Sequence, residues 1–198
     1  MHMRTLSTLT MTLWIGCVAA IAQRNALTPA EVAHFKEKLA THIRGMHSLE
    51  SDFSQTKQLS YLEKPVESAG KLYFKAPDKI RWEYHTPEPS ATVYDGSSAK
   101  RQKGIANVLS TTLTGGNIVD EARFSTAYYR EGTRYVVVQS PREKTLSRYV
   151  KQVELTIDGN TFLISSVKIT DPSMDQTTIV FSNQRKNSVI PENKFTAK

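Results

Sequence analysis

The chain is 198 residues long, 39% hydrophobic, and carries 26 Lys and Arg against 19 Asp and Glu, a formal charge of +7. That length suits one domain with a core of its own, and a single cysteine, Cys17, excludes a disulfide framework and a cysteine-based metal site. The basic residues are spread along the chain, with only Lys100-Arg101-Gln102-Lys103 clustered, and no stacking motif of the nucleic-acid modules is present; the sequence argues against nucleic acid as a partner.

In chain order, Arg4, the mostly apolar run Leu6–Val18 and the small residues Ala20-Ile21-Ala22 have the layout of a secretory signal peptide cleaved after Ala22. The run is short for a membrane span. A retained anchor helix is one alternative. Lipidation at Cys17, giving a lipid-anchored protein, is another, although Trp14-Ile15-Gly16 before it lacks the usual leucine three positions upstream. Residues 1–22 hold only one of the basic residues, Arg4, so the domain 23–198 has 25 basic against 19 acidic residues, a charge of +6. An exported basic protein can meet an anionic surface; a solvated, mixed surface is the plainer reading.

Thr28-Pro29-Ala30-Glu31 then supplies an N-cap, a proline at the first helical position and a glutamate three residues after the cap. Val32, Phe35, Leu39, Ile43 and Met46 follow at helical spacing as one narrow apolar stripe. From Leu49 onward the pattern is strand-like. Phe53–Leu59 is the first strand. In Gly70–Pro87, Leu72, Phe74 and Ala76 alternate with Lys71, Tyr73 and Lys75, and after the Pro77-Asp78 turn Ile80, Trp82 and Tyr84 alternate with Arg81, Glu83 and His85. This is the period-two signature of two half-buried antiparallel strands. Ala91–Tyr94, with Val93 as its apolar member, ends at Asp95-Gly96. Hairpins are predicted for Phe124–Arg130 with Thr133–Gln139, and for Tyr149–Ile157 with Thr161–Ile169 through Asp158-Gly159, residues that tolerate positive φ. Thr177–Asn183 and a short piece around Phe195 complete about ten strands in sequence, an antiparallel meander. Gly104–Val119 interrupts it, with Ile105, Val108, Leu109 and Leu113 at helical spacing before Gly115-Gly116. It reads as one or two short helical turns, either a plain crossover or a movable cover.

A search for chemistry finds little. His34 and His42 lie two helical turns apart, too far to share a metal, and neither a nucleophile motif nor a phosphate-binding glycine loop is present. Glu83 and His85 are best read as charge balance on a wet strand face. No catalytic residue, metal or cofactor is assigned. What remains is a covering problem. One helical stripe of five apolar residues cannot cover the inner face of about ten strands, each roughly 17–20 Å long. Either the sheet closes on itself or part of its apolar face is left for a ligand.

Phe53-Ser54-Gln55-Thr56, then Gly70, Leu72, Phe74, Pro77-Asp78, Ile80-Arg81-Trp82, Tyr84 and Pro87, then Asp95-Gly96, resemble the periplasmic outer-membrane lipoprotein carrier family, LolA. So do Thr178, Phe181, Asn183, Asn187 and Phe195 near the end of the chain. The resemblance implies a mainly β fold. A curved antiparallel sheet of about 10–11 strands would form an incomplete barrel, covered by the N-terminal helix and short lid helices. It implies a monomeric, non-enzymatic carrier without cofactor. Such a carrier would take acylated lipoproteins from an inner-membrane ABC-type release complex, shield their acyl chains and hand them to an outer-membrane receptor. A same-fold carrier or sensor of another lipid or glycolipid is the alternative. On this resemblance Leu72, Phe74, Ile80, Trp82, Tyr84 and Val93 are candidate cavity residues, and Ile105, Val108, Leu109 and Leu113 candidate lid residues. One departure stands out: carriers of this family place an arginine before the turn proline to hold the lid, and here that residue is Ala76. Arg81 is the candidate substitute latch, a surface strand arginine its plainer reading.

Overall fold

The capping signal at Thr28 starts a helix as predicted: α1 spans Pro29–Arg44. Thr28 stays extended, its hydroxyl accepts from the Glu31 backbone N–H at 3.4 Å, and the Glu31 carboxylate accepts from the Thr28 N–H at 2.8 Å. These two bonds satisfy donors that a helix start leaves open, and the bond from the Thr28 backbone holds the Glu31 carboxyl below its ordinary range. The structure, a computed structural model, describes residues 23–95 and 121–196.

Around α1 the described residues form one ten-stranded antiparallel sheet. Its strands are β1 (Arg24–Ala26), β2 (Ser48–Gln58), β3 (Val66–Lys75), β4 (Lys79–Thr86), β5 (Ser90–Asp95), β6 (Phe124–Glu131), β7 (Arg134–Pro141), β8 (Gln152–Asp158), β9 (Ile164–Thr170) and β10 (Gln176–Lys186). The order across the sheet is β1-β6-β7-β8-β9-β10-β2-β3-β4-β5, so β1 and β5 are the two edges and the sheet stays open. A single helical turn, α2 (Lys144–Ser147), precedes β8, and the piece around Phe195 is a 3-10 helix (Glu192–Phe195) where the sequence suggested a strand. The three-residue β1 was not anticipated.

The core lies between α1 and one face of the sheet. Leu39, Leu49, Phe53, Leu72, Val137, Leu155, Val167, Ile179 and Phe181 belong to it. Phe35, fully buried, is the hub, with ring centroids 4.5 Å from Tyr135, 6.0 Å from Tyr128 and 6.3 Å from Phe162. Phe162 reaches this cluster from the β8–β9 turn with φ at +53°. The Asp158 carboxylate builds that turn by accepting from the Asn160 and Thr161 backbone N–H groups and the Thr161 hydroxyl. The left-handed residue is therefore Phe162. Gly159 serves a different need: a Cβ there would come within 2.0 Å of the Thr133 carbonyl oxygen.

The opposite face carries a second, smaller cluster. Tyr73, Ile190 and Phe195 are buried together, with Val93 packed on them. The chain after β10 is strapped over this face. Asn187, at φ +59°, accepts from the His47 N–H at 2.8 Å and donates to the Gly45 carbonyl at 2.9 Å. The Lys194 ammonium sits 4.6 Å above the Tyr73 ring, and Glu192 pairs with Lys75 and, at 2.9 Å, with Lys79.

Two predictions follow from these contacts. At the β3–β4 bulge beside Gly70, a Cβ would lie 1.9 Å from the Glu83 carbonyl oxygen. Gly70→Ala is expected to destabilise by about 2–3 kcal/mol, a fall in Tm of roughly 4–12 °C. Gly132→Ala, at φ +59° with open space around it, should cost only about 1 kcal/mol of backbone strain; equal losses in thermal denaturation would refute the close-approach argument. The second concerns acid. The Lys75 and Lys79 ammoniums lower the Glu192 carboxyl from 4.5 to about 2. Its contribution is present above pH 4.5 and is lost as pH falls toward 2. The Tm difference between wild type and Glu192→Gln should be small, because the pair is exposed, and should vanish across that window.

Candidate apolar binding cavity

Strand pairing decides which side chains look inward. In β4, Ile80, Trp82 and Tyr84 share a face, and their partners across the ladder are Phe74, Leu72 and Gly70 in β3 and Tyr94, Thr92 and Ser90 in β5. Phe53 in β2 lies opposite Gly70. With no side chain at Gly70, the Phe53 ring meets Trp82 at 4.9 Å and Tyr84 at 5.1 Å, both edge to face.

The helix covers only part of this face. His42, Ile43 and Met46 close over Leu49, Leu72, Leu163, Ile164 and Phe181, leaving about 20 Å³. The His42 ring is pushed toward its neutral form by burial and then by Lys186, and its Nε2 has no partner among the described residues. Toward the end of the sheet where β2 finishes and β10 begins, a cavity of about 350 Å³ remains. Trp82, Tyr84, Tyr94, Ile169 and Leu59 form its apolar wall; Gln55, Thr92 and Thr177 add polar groups, and Lys57, Asp171 and Asp175 complete the lining. The two carboxylates are engaged in the loops: Asp171 accepts from the Asp175 N–H at 3.0 Å, and Asp175 from the Ser60 N–H at 2.6 Å. Burial pushes the Tyr84 and Tyr94 hydroxyls up, so both are neutral around pH 7. The wall is an uncharged aromatic surface.

The candidate residues separate accordingly. Trp82 and Tyr84 line the 350 Å³ cavity. Leu72 borders the small space beneath α1, and Phe74 and Ile80 are packed in the core. Val93 lies on the opposite face with Tyr73, Ile190 and Phe195; its neighbours Thr92 and Tyr94 take the inward places, because Trp82 pairs with Thr92 and Ile80 with Tyr94. Arg81 alternates with Ile80 and Trp82 and so belongs to that outer face too. Its Nε donates to Glu83 at 2.8 Å and its Nη1 to the Lys194 carbonyl at 3.2 Å, fastening the C-terminal strap. Ala76, where a lid arginine was expected, packs on the core and donates its N–H to the His47 carbonyl at 2.8 Å. Ile105, Val108, Leu109 and Leu113 lie outside the described residues. The sequence reading missed Gln55, Tyr94 and Ile169. Alternation with Phe53 could have found Gln55; the other two depend on cross-strand register.

Among the described residues no group of three His, Cys, Asp or Glu side chains is placed to hold a metal ion, and no helix is long and apolar enough to cross a membrane. What the arrangement offers is burial of an apolar guest.

Comparison with known proteins agrees with this geometry. A Chromobacterium violaceum protein named outer-membrane lipoprotein carrier protein is 26% identical over 190 residues, covering 89% of this chain and 88% of its own. Among solved structures, MucB superposes with a TM-score of 0.51 at 14% identity, over 85% of this chain and 63% of its own, which shows a shared fold. A LolA superfamily protein from Nitrosomonas europaea gives a TM-score of 0.40 at 10% identity, over 83% of this chain and 97% of its own. The family described as outer membrane lipoprotein carrier protein LolA matches residues 44–198, and the chain belongs to that family.

Proposed function

We propose that this protein is an exported carrier that shields the acyl chains of lipoproteins against the concave face of its sheet and passes them from the inner to the outer membrane. Residues 1–22 would be the signal peptide, removed after Ala22. The donor would be an inner-membrane ABC-type release complex and the acceptor an outer-membrane receptor. The observation that carries this reading is the end of the sheet where, among the described residues, Trp82, Tyr84 and Tyr94 wall a cavity that α1 does not fill.

The chemistry needed is burial alone. Each methylene removed from water is worth about 0.8 kcal/mol, so a sixteen-carbon chain gains on the order of 10 kcal/mol before the cost of ordering it. At about 350 Å³ the cavity sits near the lower end of the range for ligand pockets, roughly 300–1,000 Å³. One chain, or part of one, is therefore the natural guest of the space as it stands.

Native mass spectrometry of the full chain co-expressed with a tagged lipoprotein tests this. A one-to-one acylated complex is expected. Tyr94→Glu places a carboxylate in the wall of a strand at the sheet edge and should reduce that complex at least tenfold with Tm nearly unchanged, while Tyr94→Phe retains it. Free lipid or glycolipid bound without lipoprotein would replace this reading with the same-fold lipid carrier. Protein recovered with neither lipoprotein nor lipid bound would remove it.

A further inference from the structure

We infer that Gln55 and the Tyr84 hydroxyl form a polar anchor inside the apolar cavity, one that takes the ester or amide carbonyl at the head of an acyl chain. This rests on the carrier reading and makes it more specific, because it fixes which end of the guest lies where.

Gln55 is only 6% exposed, yet it lines the cavity among Trp82, Tyr84 and Ile169. It stands in β2 between Phe53, at the core, and Lys57, with Ile179 of β10 and Ser68 of β3 as its cross-strand neighbours. A buried carboxamide there is costly unless its groups are paired. The other buried polar residues of β2 have carbonyl partners: Ser48 donates to the Ser188 carbonyl and Ser51 to the Asp52 and Ser182 carbonyls. Gln55 instead accepts from the Tyr84 hydroxyl at 3.3 Å, long for an O–H donor, whose bonds usually fall below 3.0 Å. Among the described residues its amide nitrogen, which carries two donors, has no such bond. The Tyr84 hydroxyl gives its one proton to Gln55 and so orients the carboxamide, and the donors left for a guest are those of the Gln55 amide, in a cavity whose apolar wall is Trp82, Tyr84, Tyr94, Ile169 and Leu59.

A carbonyl is the matching group, since it accepts two hydrogen bonds and carries no charge into the wall. A guest so held would run its tail along Trp82 and Tyr94 and its head toward the Lys57 side, where the cavity lining becomes polar.

The test compares three probes of equal chain length: a dibrominated octadecanoic acid methyl ester, its N-methylamide, and dibrominated octadecane. Bromine quenching of Trp82 reports binding in the full chain carrying Trp14→Phe, which leaves Trp82 as the only tryptophan. A cavity without a polar partner binds the hydrocarbon at least as well, because ester and amide leave water bonds behind. With the anchor, the carbonyl probes should bind about 3–10-fold more tightly than the hydrocarbon. A preference for only one of the two would name the linkage. Gln55→Leu should abolish the preference, leave hydrocarbon binding equal or stronger, and hold Tm at or above wild type. Tyr84→Phe keeps the ring on Phe53 and should reduce the preference even if Gln55→Leu proved unstable. Equal binding of all three probes by wild type, or equal loss of all three in both variants, would overturn the anchor and leave the carrier reading standing. Failure of every probe to quench Trp82 would overturn the carrier reading and the anchor with it.

Discussion

The shape of this molecule depends on one mismatch of dimensions. Ten strands spaced about 4.8 Å apart make a sheet more than 40 Å across, and α1, with 16 residues, is about 24 Å long and 10 Å wide. Among the described residues α1 is the one helix of more than a turn, and alone it cannot cover such a face. It packs where its anchors are, with Phe35 on Tyr128, Tyr135 and Phe162, and the far end of the concave face is left to other solutions. Large rings supply part of the answer: Phe53, Trp82 and Tyr84 lean on one another edge to face and bury each other's flanks. The part they do not fill is the cavity.

An open sheet with an unfilled concave side needs support from behind. The second cluster provides it, on the face opposite α1. Tyr73 is covered by Ile190 and Phe195, and the strap is pinned by Asn187 at one end and by the Lys75–Glu192–Lys79 group at the other. Arg81 belongs to this support, bridging Glu83 and the Lys194 carbonyl. Strands β3 and β4 are thus gripped on their outer face just where their inner face is aromatic. Packing on the reverse side holds the cavity wall in place, and a guest in the cavity would not disturb it.

How much of this was legible in the sequence follows from the range of each interaction. Signals contained within a few residues were readable. The capping box at Thr28 and Glu31, the helical stripe from Val32 to Ile43 and the alternation through Leu72–Tyr84 appear as expected, while Met46, read as the last member of the stripe, lies beyond the helix end at Arg44 and is buried from the segment that follows it. Signals that need a partner strand were not. Val93 is the branched apolar residue of β5 and looked like its inward member, yet parity is set by pairing to β4, which turns Thr92 and Tyr94 inward. The same holds for Arg81, whose role depends on a segment more than a hundred residues away. β1 is too short to carry a pattern and exists through its ladder with β6. Gly159 was visible as a turn residue, but its reason, the Thr133 carbonyl at its back, lies on a neighbouring hairpin.

The cavity's chemistry also bears on release. A guest held only by methylene burial binds with a strength that grows with its length, and a long chain in a deep, dry pocket would leave slowly. Here the space is about 350 Å³, and Lys57, Asp171 and Asp175 are part of its lining. A polar anchor at Gln55 and Tyr84 would change what limits affinity. It adds a contact worth a few-fold in binding, and it fixes the head of the guest while much of the tail remains only partly enclosed. For the carrier proposed above, such a division would suit transfer better than greater depth. Orientation comes from a directional bond, and retention stays weak enough for an acceptor with a larger apolar surface to win by mass action.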